Sequence, residues 1–526
     1  MMSNEAETFA REIEAQFKPL RKVYALAMWD AATMGTEKAN QRQKEAQTAL
    51  MRFWSDPERF AIAKRLNESG AAKDPILARE IERLYLSAAK AQQDEATIEQ
   101  VTALQAEVRG HFYNHRPEIG GRRFSDNELD DVLRTSRDSE EVKAAWLASK
   151  EVGALVADQV RALAKLRNAA SRAQGYRDHF ARMLALSEID EDALLKTYDE
   201  LEKATDQPFA RLKEGIDAAR AKRFGVKINQ LRPWHFENRF FQASPEWSDV
   251  DTAALFEQKD LVQLALQTYD DLGMDVADII DGSDLHPRPG KNQHAFCLDI
   301  DREGDVRTLN NLQANERWMS TLLHELGHAV YDKYIDPELP WMLRTPAHSL
   351  TTEGLAIIMG ALTRDIEWLE HVLGLTGEEL KRYAEAGKAR ERAGNLVFTR
   401  WSLVMLHFER RLYADPDSEL DAYWWDLAER YQFLPRPDRM APDWAAKYHI
   451  ALAPVYYQSY ELGRMVAEQF RVHMRRDVGG IVGRKEAGQW MRERIIKSGA
   501  TEVWSQHVIS ATGEPLNPDY FLQSVS

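Results

Sequence analysis

Apolar residues recur three and four positions apart along most of this chain, and that spacing restricts it to a helical fold. The segment from Glu140 to Ala173 is typical, with an apolar residue on one side of each turn. Residues three or four apart lie on one face of an α-helix, so each such segment has one face that must pack. No repeat or low-complexity linker marks a boundary. We predict an all-α fold in one domain, residues 1–526, with two lobes.

One short region departs from the helical pattern. Ala295 to Asp301 alternates in polarity, Arg302 to Gly304 can form a turn, and Asp305 to Leu309 can return as a second strand. Two alternating segments separated by a short glycine-containing turn predict a β-hairpin. This hairpin comes just before the most informative motif of the sequence.

Composition excludes several classes of protein. Hydrophobic residues make up 44% of the 526 residues, which is typical of a chain with a large folded core. The net charge of −15 argues against a nucleic-acid partner, which would need a basic face. The single cysteine, Cys297, excludes disulfide bonds, Cys-rich zinc modules and CxxC redox chemistry.

Neither a secretory signal nor a membrane segment is evident. The first residues lack a basic start followed by an apolar run. The nearest approach to a membrane span, Gly354 to Leu362, is far shorter than the ~18 residues that a bilayer requires. We therefore expect a cytoplasmic protein without a membrane segment; the sequence leaves its oligomeric state unknown.

The sequence His-Glu-Leu-Gly-His begins at His324, within a segment of helical periodicity. On a helix, His324 and His328 lie on one face and can bind one metal ion. Zinc suits neutral imidazole, and a catalytic zinc keeps one position open for water. Glu325 is the neighbour that can take a proton from that water. The motif predicts a site for one Zn²⁺ ion.

The third ligand defines the class of zinc site. Tyr331 and Tyr334 occupy the Gly and His positions of the pattern HExxHxxGxxH, which excludes that arrangement. A carboxylate from the next helix is the alternative, and we predict Glu353, in the first turn of the apolar run that begins at Thr351. Four other residues remain open as alternatives: Asp332, Asp336, Glu338 and His348.

Aromatic and basic residues are concentrated near the carboxyl end. Lys447-Tyr448-His449 is followed by several tyrosines, of which Tyr457 and Tyr460 are three apart and share a helix face. A hydrolase needs donors for the oxyanion that forms on the substrate carbonyl. His449 and these tyrosines are candidates, with core or surface packing as the alternative.

Taken together, these residues resemble the angiotensin-converting-enzyme family of zinc peptidyl-dipeptidases and, more distantly, the thimet-oligopeptidase family. The HExxH helix, a following Glu-bearing helix and the Lys-Tyr-His and tyrosine segment occur in the family's order. Further similar segments extend over the whole chain: Ala27 to Glu37, Ser136 to Trp146, Leu166 to Asp178, Glu338 to Arg344, Tyr423 to Gln432 and Ala446 to Ile450.

The resemblance implies a role for each of these residues. It implies that His324, His328 and Glu353 bind zinc and that Glu325 acts as general base and then acid. His449 and Tyr460 would stabilise the tetrahedral intermediate, and Lys447 and Tyr457 would hold the free carboxylate of a peptide. It also implies a helical zincin-type fold with a deep, narrow channel that admits flexible peptides.

Several positions depart from the family. At the two positions where the family has chloride-binding arginines, this chain has Ser459 and Ala428. We therefore predict activity without chloride activation. The acidic residue one turn after the Glu ligand is Ile357, which leaves the partner of a zinc-binding histidine unassigned. His294, within Gly290 to Cys297, is a candidate for the substrate-binding strand and also fits an oligopeptidase pattern.

The preferred cleavage mode depends on how the carboxylate is bound. A Gln has this role in the dipeptidase branch and an Arg in the carboxypeptidase branch. Arg239 is a candidate because Arg binds a carboxylate with two hydrogen bonds, and a surface salt bridge is the alternative. We predict a peptidase that releases dipeptides from a free carboxyl end. The alternatives are a monocarboxypeptidase, an oligoendopeptidase, and a zinc-stabilised helical protein that binds peptides without cutting them.

Overall fold

The computed structural model describes residues 2–70, 72–245, 250 and 252–526. These residues are mostly helical, with two short antiparallel hairpins, which confirms the all-α prediction. In this part of the chain, no helix combines the length and the apolar character that a membrane crossing requires.

The helices have the following bounds: α1 Met2–Met34, α2 Glu37–Trp54, α3 Pro57–Ser69, α4 Pro75–Ala91, α5 Glu95–Asn114, α6 Asp126–Thr135, α7 Ser139–Ala173, α8 His179–Leu186, α9 Glu191–Phe224, α10 Leu261–Asp271, α11 Ala277–Gly282, α12 Glu316–Lys333, α13 Ser349–Ala361, α14 Ile366–His371, α15 Gly377–Ala414, α16 Leu420–Gln432, α17 Tyr448–Leu452, α18 Tyr457–Val478, α19 Lys485–Met491, α20 Trp504–Thr512 and α21 Pro518–Val525. The strands are β1 Glu118–Ile119, β2 Arg122–Arg123, β3 Phe296–Asp299 and β4 Val306–Leu309.

Single 3₁₀ turns and one π-helical turn connect several helices. The 3₁₀ turns are Ile228–Gln230, Pro233–His235, Ala253–Leu255, Trp341–Leu343, Leu362–Arg364 and Asp443–Ala446, and the π-helical turn is Arg492–Ile496.

The chain divides into two compact units, each built from separate segments. Unit 1 comprises Met1–Gln92, Val250–Lys388 and Leu462–Phe521, and unit 2 comprises Gln93–Asp249, Ala389–Glu461 and Leu522–Ser526. The expectation of a single domain with two lobes around a channel stays a prediction.

In unit 1, α1 to α4 pack around an aromatic cluster. The Phe17 ring centroid lies 5.3 Å from that of Phe53 and 5.9 Å from that of Trp341. The start of α3 follows from its sequence, since Asp56 accepts a hydrogen bond from the Arg59 amide at 2.8 Å. Proline at the next position costs no helical hydrogen bond, because the first amides of a helix have no helical acceptor.

The predicted hairpin is present in unit 1, between α11 and α12. Phe296 pairs with Leu309 and Asp299 with Val306, in antiparallel register. At the turn, Asp299 Oδ1 accepts the amide of Arg302 at 2.8 Å. Arg302 has a φ of 60°, and this side-chain hydrogen bond helps to hold that strained conformation. The hairpin packs against α12, the helix that carries the HELGH motif.

In unit 2, the predicted helical segment is α7, which is capped by Asp138. Gly153 allows α7 to approach the Asp443–Ala446 turn closely, because a Cβ at that position would lie only 2.5 Å from the Pro442 carbonyl oxygen. This turn directly precedes Lys447, so the close approach sets the position of that lysine.

Candidate active site

The two histidines of the motif lie on one face of α12, in unit 1. The helix begins after Asn315, whose side chain accepts the amide hydrogen of Trp318 at 3.0 Å. The His324 and His328 ring centroids are 4.9 Å apart, with the ring planes nearly perpendicular. The four-residue spacing therefore brings the two imidazoles together, as the sequence predicts.

α13 packs against α12 in the opposite direction, through glycines. A Cβ at Gly327 would lie 2.8 Å from the Ala356 Cα, and one at Gly360 would lie 3.2 Å from the His324 Cβ. Ser320 Oγ also donates to the carbonyl of Gly360 at 2.8 Å. This close packing of two backbones brings a residue of α13 within reach of both histidines.

That residue is Glu353. Its Oε2 lies 3.7 Å from His324 Nε2 and 3.9 Å from His328 Nε2. Two ligands at the usual Zn–N and Zn–O distances around a tetrahedral ion lie about 3.4 Å apart. The three ligand atoms lie within 4.8 Å of one another, and no second group of this kind occurs among the described residues. The donor set and its spacing fit a zinc ion.

The helix that carries Glu353 begins earlier than the sequence predicts. α13 starts at Ser349 because His348 caps it, with Nδ1 accepting the amide of Leu350 at 3.1 Å. Glu353 is thus in the second turn rather than the first, and that part of the prediction is wrong. The apolar run that begins at Thr351 did not reveal the histidine cap.

The four alternative ligands stand outside this group. His348 is the cap of α13, and Asp336 Oδ1 accepts the amide of Glu338 at 2.9 Å in the following loop. Asp332 lies one turn beyond His328, where burial and nearby Asp299 raise the pKa of its carboxyl well above the usual value.

Burial keeps both imidazoles neutral. It lowers the pKa of His324 to about 4, where Arg464 adds a smaller effect, and the pKa of His328 to about 3, with a contribution from His324. Neutral imidazole is the form that binds zinc. The two rings are therefore in the ligand form at neutral pH.

Glu325 is nearly buried beside this group, with 8% of its surface exposed. Burial, and then the charge of Glu353, raise the pKa of Glu325 to about 8, while the Cys297 amide on β3 donates to its carboxylate. Burial also raises the pKa of Glu353 to about 7. An acid with a pKa near neutrality is suited to accept and return a proton.

Each histidine also has a hydrogen-bond partner on α13, and neither partner was predicted from the sequence. The ring of His324 donates to the backbone carbonyl of Ala356. His328 Nδ1 lies 2.7 Å from Thr352 Oγ1. The sequence had offered no such partner, because Ile357 stands where the resemblance implies an acidic residue. The only signal in the sequence was a hydroxyl residue next to the predicted ligand Glu353.

The residues with predicted substrate roles near the carboxyl end cluster in unit 2. The His449 and Tyr457 ring centroids are 5.0 Å apart, and those of Tyr457 and Tyr460 are 5.5 Å apart. Tyr457 begins α18, so the predicted helical spacing of the two tyrosines is present. Burial and then the charge of Lys447 lower the pKa of His449 to about 4.

Lys447 is buried in an aromatic surrounding. Its Nζ lies 5.3 Å from the ring centroids of Phe240, Trp401 and Tyr457. It also donates to Gln242 Oε1 at 2.6 Å. Burial, and then the charge of Arg239, lower the pKa of the Lys447 ammonium to about 7.

Gln242 is a third residue of the site that was not predicted from the sequence. Its segment is held by α16, where Gln432 Nε2 donates to the carbonyls of Phe240 at 3.0 Å and Phe241 at 2.8 Å. Phe241 has a φ of 50°, so the chain turns sharply just before Gln242. A Gln three residues after Arg239 was the available signal.

Arg239 makes other contacts. Its Nε donates to Asp130 at 2.7 Å, and its guanidinium lies 3.2 Å from Asp126. These ion pairs correspond to the alternative in which Arg239 forms a surface salt bridge, and a substrate carboxylate would have to compete with both aspartates.

His294 is exposed in the loop before β3, where its amide donates to Asn292 Oδ1 at 3.0 Å. A substrate role for His294 stays a prediction.

The two positions that lack chloride-binding arginines, Ser459 and Ala428, are both buried. Ala428 and Lys150 both line a small cavity. The Lys150 Nζ lies 3.3 Å from the ring centroid of Phe240, and burial lowers its pKa well below the usual value. No arginine replaces the missing pair among the residues that line this cavity, except Arg239 with its two aspartate partners.

Comparison with known families gives a match for the first part of the chain. A peptidase family model described as angiotensin-converting enzyme matches residues 1–213. Over these residues the match confirms the resemblance to the angiotensin-converting-enzyme family. It ends before the HELGH motif, so the residues assigned to zinc rest on their own spacing and geometry.

Proposed function

We propose that this chain, a relative of the angiotensin-converting-enzyme family, is a zinc metallopeptidase that hydrolyses short peptides from their free carboxyl end. The observation that carries the proposal is the group formed by His324, His328 and Glu353, with buried Glu325 beside it. A structural zinc site normally has four protein ligands, whereas this group offers three. Three protein ligands would leave one position of a bound zinc ion open for water or substrate.

Bound zinc supplies a Lewis acid that polarises the scissile carbonyl and makes water a better nucleophile. Glu325 removes the proton from that water as it attacks, and then passes it to the amine that leaves. Both steps belong to the same carboxylate, which must accept and release one proton in each turnover. The Cys297 amide orients the carboxylate.

The residues of unit 2 take the roles that the resemblance implies. His449 and Tyr460 stabilise the oxyanion of the tetrahedral intermediate. Lys447, Gln242 and Tyr457 hold the terminal carboxylate, since a buried ammonium with an amide partner retains the capacity to bind an anion. A buried cation without a carboxylate partner is costly, and a substrate carboxylate would relieve that cost.

We propose that dipeptides are the main products. The amide of Gln242 beside Lys447 favours the dipeptidase mode, because the resemblance assigns a Gln to carboxylate binding in that branch. The ion pairs of Arg239 with Asp126 and Asp130 disfavour a monocarboxypeptidase that would use this arginine.

The test is mass spectrometry of the products from a decapeptide, prepared with a free and with an amidated carboxyl end. Zinc-loaded protein should remove two residues at a time from the free peptide and leave the amidated one nearly intact. Single-residue steps would support the monocarboxypeptidase, and internal cuts in both peptides would support the oligoendopeptidase. One bound zinc without cleavage of either peptide would contradict the proposal and support the peptide-binding alternative.

A further inference from the structure

Three contacts between α12 and α13 follow a common register. Ser320 contacts Gly360, His324 contacts Ala356, and His328 contacts Thr352. Each step of four residues forward along α12 is matched by four residues backward along α13. One helical turn of α13 thus separates the two groups that hydrogen-bond the zinc-binding histidines.

We propose that Thr352 is a positioning residue for zinc, since its hydroxyl holds the His328 ring from the side opposite Glu353. The inference rests on the proposed function, because it requires that His328 is a zinc ligand. The hydroxyl oxygen lies 2.7 Å from His328 Nδ1, while His328 Nε2 lies 3.9 Å from Glu353 Oε2. The ring therefore has one nitrogen directed to each of two adjacent residues of α13.

The two histidines are held by different chemistry. The Ala356 carbonyl can only accept a hydrogen bond, so it requires a proton on the ring nitrogen of His324 that faces it. The Thr352 hydroxyl can donate or accept, so it is compatible with both neutral tautomers of His328. When Nε2 of His328 binds zinc, the proton must reside on Nδ1, and Thr352 then acts as acceptor.

Neither partner is charged. A carboxylate partner would raise the basicity of the ligand, whereas a hydroxyl or a carbonyl mainly orients the ring. Ile357, where the resemblance implies an acidic residue, has no group that can take part in a hydrogen bond. Thr352 is thus the side chain that orients the second histidine, and its removal should weaken zinc binding.

The adjacent Thr351 provides a matched control. Its hydroxyl donates to the His348 carbonyl at 2.8 Å, and it lies 3.5 Å from the Tyr331 hydroxyl. Both threonines belong to α13 and precede the same ligand, but only Thr352 contacts a histidine of the motif. Thr351→Val therefore reports the cost of losing a hydroxyl from this helix without losing the contact to His328.

The experiment measures zinc affinity by chelator competition for the wild type, Thr352→Val, Thr352→Ser and Thr351→Val. Thr352→Val should bind zinc about 10- to 100-fold more weakly, as other losses of a ligand's hydrogen-bond partner do. Thr352→Ser should restore most of the affinity, and Thr351→Val should bind zinc as the wild type does. The visible spectrum of the cobalt-loaded protein should change in Thr352→Val and not in Thr352→Ser.

Wild-type affinity in Thr352→Val would overturn the inference, and so would equal losses in Thr352→Val and Thr351→Val. If Thr352→Val fails to fold, Thr352→Ala replaces it in the same comparison with Thr352→Ser. A wild type that binds no zinc would overturn the proposed function as well. Zinc affinity is measured without peptide cleavage. Weak zinc binding in Thr352→Val with normal binding in the wild type therefore tests the role of Thr352 separately from the proposed peptidase function.

Discussion

The ammonium of Lys447 and the side-chain oxygen of Gln242 are 2.6 Å apart, although 205 residues separate them in the sequence. Both lie in unit 2, and Lys447 is buried among aromatic rings. Among the described residues, its hydrogen-bond partner is this neutral amide rather than a carboxylate. This pair is the basis for the proposed recognition of a peptide's terminal carboxylate.

Loss of the Lys447 charge should weaken binding of peptides with a free carboxyl end. We expect Lys447→Met to raise KM for these peptides by about 10- to 100-fold, which corresponds to about 1.5–3 kcal/mol for a hydrogen bond to a charged group. Slow cleavage of amidated peptides should be unchanged. Lys165→Met is the control, since Lys165 is exposed and paired with Asp417. Equal KM values for Lys447→Met and the wild type would remove Lys447 from the proposed binding group.

Carboxylate binding should also depend on pH. The pKa of Lys447 is lowered to about 7, so its ammonium is mostly protonated below that pH and mostly neutral above it. In steady-state kinetics, kcat/KM for a peptide with a free carboxyl end should therefore fall as the pH rises above about 7. This fall of kcat/KM should be absent with an amidated peptide and in Lys447→Met. A fall at the same pH in all three cases would mean that another group titrates.

Replacement of Glu325, the proposed general base, should separate catalysis from metal binding. Glu325→Gln keeps the size and burial of the side chain but cannot accept the proton, so we expect kcat to fall by at least about 10²- to 10⁴-fold. Zinc content, measured by elemental analysis, should stay at one ion per chain. Glu338→Gln, in the exposed loop after α12, should retain both activity and zinc. Near-normal turnover in Glu325→Gln would contradict the proposed mechanism.

Chloride should not activate the protein. Ser459 and Ala428 carry no charge, and burial of Lys150 favours its neutral amine. The rate of peptide hydrolysis should be the same in sodium chloride and in sodium acetate at equal ionic strength. A several-fold higher rate in chloride would contradict this prediction.

Close packing of α12 against α13 should be sensitive to a single methyl group. A Cβ at Gly327 would lie 2.8 Å from the Ala356 Cα, so Gly327→Ala should destabilise the fold by about 1–3 kcal/mol and weaken zinc binding. Gly215, on α9, has open space around it, and Gly215→Ala should stabilise by roughly 0.5–1 kcal/mol. Chemical denaturation of both variants gives the comparison. A free energy of unfolding for Gly327→Ala equal to that of the wild type would mean that α12 and α13 can move apart at little cost.

The sequence alone was sufficient for the features that depend on neighbouring residues. Helical periodicity predicted α7 and α12, alternation predicted the hairpin of β3 and β4, and the four-residue spacing of His324 and His328 placed two imidazoles on one face. These features follow from local geometry, because residues three, four or two apart meet in a helix or a strand whatever the rest of the chain does.

Tertiary structure decided which hydrogen-bond and ion-pair partners the site residues have. The Thr352 hydroxyl and the Ala356 carbonyl reach the histidines because α12 and α13 pack in one register, which depends on glycines of both helices. Lys447 meets Gln242 and Arg239 meets Asp130 across long stretches of chain, so no local pattern could have paired them. Burial, a property of the whole fold, raised the pKa of Glu325 and lowered that of Lys447. The sequence determined which groups can do chemistry; packing determined their neighbours and their charge.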